Sequence, residues 1–264
     1  MGTPKAALEW HGSTLLRRTA AILARATGGP VLVVRAPGQP LPALPPRVEV
    51  ADDPREGLGP VQGIAAGLAA LAGRAQIAFV SSTDLPFLHP AFVRRVLRAA
   101  EEGADVGLPL ARGYPQPLAA AYRTALAGTA ARLVAQGRLR PAFLFDDCAV
   151  TRLDEAALRA DPVLAALDPG LDSVVNVNEP ADYAAARARP APWVTVQRLG
   201  TLAGGHRGPH QVRAATVGEA AAATGLALGR HVVAALNGDQ VTRDDQEPLT
   251  AGDTVAFLPA DAGG

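Results

Sequence analysis

Short unbroken apolar runs alternate with helically spaced apolar positions along most of this chain. Residues 30–34 and 77–80 are continuous apolar stretches, the pattern of parallel strands buried on both faces. Another short strand is expected at 48–51, beyond a Pro-rich loop at 37–46. Leu15, Leu16, Ile22, Leu23 and Ala26 share one face of a helix, with Gly12-Ser13 as its turn and N-cap. Residues 57–63 form a Gly/Pro loop opening a helix through Leu71, and His89-Pro90 starts a helix reaching about Glu102. Strands are expected at 105–108, 118–122 and 149–153, with a helix over 124–136 among them. A last strand is read at 173–177 and a last helix at 180–187, with Pro180 in its first position.

Strands alternating with helices predict an α/β fold built on a doubly wound, mostly parallel sheet. Such sheets bind ligands where the strands' carboxyl ends meet the following loops. Asp53 and Asp84 lie in two of those loops. A Pro-rich break at 187–192 then changes the pattern. Residues 193–199 alternate as a strand, and a short helix follows over 217–224. Residues 232–236 and 240–241 read as a hairpin around Asn237-Gly238, and 254–258 as a final strand. Strands around one helix describe a small α+β unit, so domains are expected at 1–189 and 193–264.

Composition narrows the function classes. The chain is 48% hydrophobic, ample for real cores, and Lys plus Arg balances Asp plus Glu at 25 each. A neutral chain without a basic cluster argues against nucleic acid or a membrane surface as partner. No apolar run approaches the ~20 residues needed to span a bilayer, and the start lacks a signal-peptide layout. The single Cys148 cannot close an internal disulfide and is expected as a small buried apolar residue in a reducing, cytoplasmic setting. Lys5 is the one lysine among arginines, and asparagine occurs only at 176, 178 and 237. His11, His89, His206, His210 and His231 make no metal-ligand spacing, and 206–210 is expected as a surface loop.

Three motifs stand in order: Gly59-Pro60-Val61-Gln62-Gly63, Asp84-Leu85-Pro86, and Asn176-Val177-Asn178-Glu179-Pro180. With Met1-Gly2-Thr3-Pro4-Lys5-Ala6 and Pro115-Gln116-Pro117-Leu118, this set resembles the nucleotidyltransferase family of molybdenum cofactor guanylyltransferases over roughly residues 1–189. The resemblance implies a Rossmann-like sheet, GTP as nucleotide substrate, molybdopterin as acceptor and Mg2+ as metal. It implies Asp84 as metal ligand and catalytic residue, against the alternative of a carboxylate capping the next helix. Lys5 is implied as a catalytic ammonium on the nucleotide phosphates. Asp53, with Asp52 as rival, matches an acid near the nucleotide, and Gly59 and Gly63 would allow close backbone approach. Asn176 and Asn178 either bond nucleotide or metal water, or tether the last strand. Arg35 stands where the family has a small polar residue.

The family's chains begin with a buried strand and a Leu-Ala-Gly-Gly loop, neither of which occurs here. The similarity starts at residue 1, so Met1 is expected to be the methionine of an Arg-Met-Gly motif whose upstream part is missing. Without that strand and loop, nucleotide affinity is expected to fall, and base choice between GTP and CTP stays open. A cytidylyltransferase or an inactive scaffold are the competing readings. The chain's ending, from Leu249 through Phe257-Leu258-Pro259 to Gly263-Gly264, resembles the molybdopterin synthase small subunit and the thiamine sulfur carrier. That resemblance covers about 193–264 and implies a ubiquitin-like β-grasp fold. It also implies a Gly264 carboxylate converted to thiocarboxylate, with an adenylating enzyme and the molybdopterin synthase large subunit as partners.

Overall fold

The computed structural model describes residues 4–53, 57–204 and 208–260. They divide into two compact units. One takes in Leu15–Val177 and the segment ending at Ala7, the other Leu8–Thr14 and the chain from Asn178 onward.

In the first unit the labelled strands are β1 (Val31–Arg35), β2 (Val48–Asp52), β3 (Ile77–Ser81), β4 (Val106–Ala111), β5 (Ala119–Arg123) and β6 (Val150–Leu153). Its longer helices are α1 (Leu15–Thr27), α2 (Gly59–Leu71), α3 (Pro90–Glu101) and α4 (Ala127–Ala135). β1 and β2 pair in parallel, from Val31 opposite Val48 to Arg35 opposite Asp52. A five-stranded sheet runs β3-β5-β4, with the short Tyr114–Pro115 strand and β6 both paired to β4. β6 is parallel to β4, whereas β5 is antiparallel to both β3 and β4. The reversal follows from chain length: residues 112–118 join β4 to β5, and a parallel return needs a crossover of about a dozen residues or more.

β5 shows how helices cover both faces of this sheet. Ala119 and Ala121 join the core with Phe92, Val96 and Ala100 of α3, while Ala120 and Tyr122 join that of α2 and α4. Successive strand residues point to opposite faces, so an unbroken apolar run serves both layers. α3 approaches closely at Gly107, where an added Cβ would sit 2.7 Å from the Val96 carbonyl oxygen.

Among the described residues β1 pairs only with β2, and β3 only with β5. Each therefore presents an unpaired edge. An apolar slot of about 380 Å³ is walled by both strands and by α1 and α2, through residues such as Leu16, Val33, Leu68 and Phe79. A second cavity of about 290 Å³ is lined by Pro30, Ile77 and Leu97 beside both strands. These open edges explain why the apolar residues of β3 are half-buried rather than fully covered.

Three local expectations are corrected. Residues 173–177 make no strand: Asp172–Val174 is a 3-10 turn, held because the Asp168 carboxylate accepts from the Asp172 and Ser173 amides at 2.7 and 3.1 Å. Gly63 lies within α2 rather than in a loop, since the helix starts at Gly59 with Pro60 in its first turn. Ser13 is paired with Trp10 in a two-residue strand instead of serving as a helix cap.

The second unit holds α5 (Pro180–Arg187), β7 (Trp193–Arg198), β8 (His210–Arg213), α6 (Val217–Ala223), β9 (Val232–Leu236), β10 (Gln240–Thr242) and β11 (Thr254–Pro259). The sheet order is β8-β7-β11-β9-β10, with the β7–β11 pair parallel and the others antiparallel. Val194, Val196, Leu236, Val255 and Phe257 pack with Val217, Ala220 and Ala221 of α6. Asn237 and Gly238 both take positive φ, 53° and 85°, as a tight hairpin turn requires. The Asn237 amide then bonds the Asp253 carboxylate and the Thr254 N–H, each at 2.9 Å. His210 starts β8 opposite Val196, contrary to the expected loop.

The segment Leu8–Thr14 belongs to this unit. Trp10 is buried at 3% exposure and lies beside Tyr183, whose hydroxyl donates to the Glu9 carbonyl. Arg187 pairs with the Glu9 carboxylate at 2.6 Å, and His11 approaches Glu219 of α6 at 3.5 Å.

Candidate nucleotide site

Asp84 follows β3 at its carboxyl end, in a loop fixed by main-chain bonds from several directions. The Ser82 amide donates to the Leu118 carbonyl at 3.0 Å, and the Val177 amide donates to the Asp84 carbonyl at 3.0 Å. The Leu88 amide closes a turn on the Leu85 carbonyl at 3.2 Å. Asp84 does not cap α3. His89 does, its Nδ1 accepting from the Ala91 amide at 3.1 Å.

The Asp84 side chain is 15% exposed and has two partners among the described residues. The Ser82 hydroxyl donates to Oδ1 at 2.5 Å, and the Lys5 ammonium lies 3.3 Å from Oδ2. Lys5 stands in a 3-10 turn, Lys5–Ala7, with its side chain 37% exposed. The structure thus brings one carboxylate, one hydroxyl and one ammonium together at the end of a sheet strand. A hard cation with oxygen ligands suits such a carboxylate, provided phosphates and waters complete the shell. No group of three or more His, Cys, Asp or Glu among the described residues could enclose a metal, so an all-protein cage is not formed there.

The other expected site residues are placed as follows. Gly59 opens α2 with φ at 72°, and Gly63, inside that helix, lines the slot between β1 and β3. A Cβ at Gly63 would meet nothing within 4 Å, so open space lies before its backbone. Asp53 directly follows β2, its amide on the Arg35 carbonyl at 2.6 Å. Asp52 instead accepts the Arg35 guanidinium at 2.7 Å, and Arg35 also donates to the Gln39 carbonyl at 3.0 Å. Asn176 is exposed beside Val177, whereas Asn178 belongs to the second unit, its amide on Asp182 at 3.2 Å. Met1, Gly2, Thr3, His206, Gly263 and Gly264 lie outside the described residues. Cys148 is half-buried with its thiol pushed up to about 11, chiefly by burial and then by Asp105 and Asp147.

Two contributors were missed by sequence reasoning. Ser82 was visible as a hydroxyl two residues before the Asp, without a signal of its role. Arg18 stands at the spacing of the apolar α1 face between Leu15 and Ile22, and its burial at 7% is the mark of a buried polar contact.

A parallel-containing α/β unit with a strand-end carboxylate and ammonium defines a nucleotidyltransferase class. The chain belongs to the MobA-like NTP transferase domain family, whose model matches residues 1–150. A ThiS family model matches residues 209–264, so the two families are joined in one polypeptide. A probable molybdenum cofactor guanylyltransferase of Mycobacterium tuberculosis is 39% identical over 150 residues, covering 55% of this chain and 73% of that protein. One from Mycobacterium avium is 35% identical over 194 residues, covering 72% and 90%. The molybdopterin-guanine dinucleotide biosynthesis protein A of Archaeoglobus fulgidus shares the fold, with a TM-score of 0.55 at 22% identity, covering 70% and 90%.

Proposed function

We propose that this chain transfers GMP from GTP to the terminal phosphate of molybdenum–molybdopterin, with residues 1–189 as the transferase part. The observation that carries this reading is the Lys5–Asp84 pair at the carboxyl end of β3. The names of the mycobacterial relatives support guanine nucleotide and molybdopterin as substrates.

An acceptor phosphate oxygen attacks the α-phosphorus in line; the bond to the bridging oxygen breaks, and pyrophosphate leaves with the electron pair. No covalent enzyme intermediate is needed. Lys5 exchanges its carboxylate partner for phosphate oxygens and holds their charge as a compact ammonium. Ser82 keeps the Asp84 carboxylate in one orientation by its bond to Oδ1. Mg2+ held by Asp84 and the phosphate oxygens would supply neutralisation of charge gathering on the leaving group. Asp53, Gly59, Gly63 and Asn176 remain nucleotide-contact candidates in this reading, whereas Asn178, in the second unit, is not assigned to the site.

Residues 193–264 act as a sulfur carrier whose Gly264 carboxylate is adenylated and then converted to a thiocarboxylate as sulfur from the sulfurating partner displaces AMP. That role needs an adenylating enzyme and a molybdopterin synthase large subunit, and the ThiS family match supports it. Both activities serve one biosynthetic route, which favours a cytoplasmic setting; among the described residues no helix is long and apolar enough to cross a membrane. The slot between β1 and β3 has room for one further extended apolar strand, because unpaired backbone groups on the two edges can bond a polypeptide backbone.

Pyrophosphate release in the presence of molybdenum–molybdopterin tests the transferase. Release with GTP and not CTP, abolished in Asp84→Ala, is expected. Release with CTP alone would make it a cytidylyltransferase, and release with neither would leave a scaffold. For the carrier, mass spectrometry after incubation with the adenylating and sulfurating partners should find a thiocarboxylate at Gly264, lost when Gly264 is deleted.

A further inference from the structure

Arg18 lies in the first turn of α1, 7% exposed, and takes no direct part in the chemistry described above. A guanidinium is seldom buried unless it makes bonds that justify its removal from water. Its Nε–H donates to the carbonyl oxygen of Pro86 at 2.8 Å, in a buried bond. Pro86 stands two residues after Asp84 and has no N–H of its own to anchor the loop.

The Asp84 loop is thereby suspended at two carbonyls from two outside elements. Val177 holds the Asp84 carbonyl at 3.0 Å, and Arg18 holds the Pro86 carbonyl at 2.8 Å. Leu85 and Leu88, at 2% and 1% exposure, bury the apolar side of the same loop. With the backbone pinned on either side of Leu85, the direction of the Asp84 Cα–Cβ bond is set. With that direction set and the Ser82 hydroxyl on Oδ1, Oδ2 lies 3.3 Å from the Lys5 ammonium.

We propose that Arg18 is a positioning residue: by holding the Pro86 carbonyl it fixes the Asp84 carboxylate toward Lys5. The functional part of this statement rests on the nucleotide-site reading above; the geometric part does not. Arg18 acts through the loop and touches no substrate. The planar guanidinium suits the task, because Nε–H has a fixed direction that a lysine ammonium on a flexible stem lacks.

Arg18→Met, Arg18→Lys and Arg95→Met test the proposal. Arg95 is the comparison: it also donates to a main-chain carbonyl, that of Ala157, at 3.3 and 3.2 Å, and that carbonyl lies outside the Asp84 loop. Two readouts are taken on the full chain. One is hydrogen exchange of the Val177 amide without ligand, with the Ala121 amide of β5 as internal reference. The other is GTP affinity with and without Mg2+.

Arg18→Met should speed Val177 exchange by about tenfold or more relative to Ala121. It should also weaken Mg2+-dependent GTP binding by roughly tenfold, and Arg95→Met should do neither. Arg18→Lys should fall between, and it carries the same comparison if Arg18→Met fails to fold. Val177 exchange unchanged in the Arg18 variants, or raised equally in Arg95→Met, would overturn the positioning role. If wild-type protein binds no GTP, the functional reading fails while the exchange comparison still decides the geometry.

Discussion

The Lys5 ammonium rests 3.3 Å from the Asp84 carboxylate, a contact between positions 79 apart in sequence. With the lysine side chain 37% exposed, such a pair contributes at most about 1 kcal/mol to stability. The ion pair alone therefore adds little to the fold, and in the proposed reading the Lys5 charge serves the nucleotide phosphates. Lys5→Met should shift the unfolding free energy by less than about 1 kcal/mol. By calorimetry it should weaken GTP binding by roughly tenfold or more, as expected for a lost phosphate contact. Wild-type affinity in that variant would remove Lys5 from the site.

The facing edges of β1 and β3 make a second prediction. An N-terminal extension carrying about five apolar, β-branched residues and a short glycine loop should fill the slot, since a strand of that length matches five-residue neighbours. Amides of Val33 and Phe79 should then exchange more slowly, and dye binding to exposed apolar surface should drop. An extension of the same length with proline at alternate positions should do neither. Equal behaviour of the two extensions would show that the slot accepts no strand.

Asp161 gives the acid limb of stability a named source. Its carboxylate accepts from the Leu164 and Val163 amides at 3.0 and 2.9 Å and meets Arg98 at 3.1 Å. The Leu164 bond lowers its pKa below the ordinary carboxylate value, opposed by burial and aided by Arg98. A folded-state pKa below the unfolded one means that the unfolded chain binds the proton more tightly. The contribution is therefore complete above the ordinary value of about 3.9 and is lost as pH falls through the lower folded value. Asp161→Asn keeps a side-chain oxygen for the two amides but loses the charge, and should cost up to about 1 kcal/mol at pH 7. In thermal melts the gap from wild type should narrow below about pH 4; a gap constant with pH would contradict this assignment.

Gly107 and Gly128 should respond in opposite directions to alanine. A Cβ at Gly107 meets the Val96 carbonyl oxygen at 2.7 Å and Ala99 Cβ at 3.2 Å, between β4 and α3. Backbone oxygen cannot swing aside, so Gly107→Ala should destabilise by about 1–3 kcal/mol in urea unfolding. Gly128 lies in α4 with open space about its Cβ position, and Gly128→Ala should stabilise by up to about 1 kcal/mol. A neutral Gly107→Ala would mean that α3 stands further from β4 than described.

Much of this architecture could be read from periodicity and chain length. The runs at 30–34 and 77–80 became β1 and β3 because apolar residues on successive positions can serve both faces of a layered sheet. Asn237-Gly238 was readable because few other pairs take positive φ at both positions. Residues 173–177 looked equally strand-like. There the outcome depended on Asp168, a buried carboxylate several residues upstream, whose capture of two amides favours a tight turn over an extended run. Lys5 and Asp84 stood out by rarity and by motif, whereas Arg18 did not. Its acceptor is a main-chain carbonyl 68 positions away, and no side-chain pattern records that.

Titration of GTP affinity against Mg2+ in wild-type protein and in Asp84→Ala tests the central claim most directly. If Asp84 holds the cation at the phosphates, Mg2+ should tighten GTP binding by about tenfold or more in the wild type. Asp84→Ala should show no such gain while keeping its fold. An equal Mg2+ gain in both proteins would contradict the site.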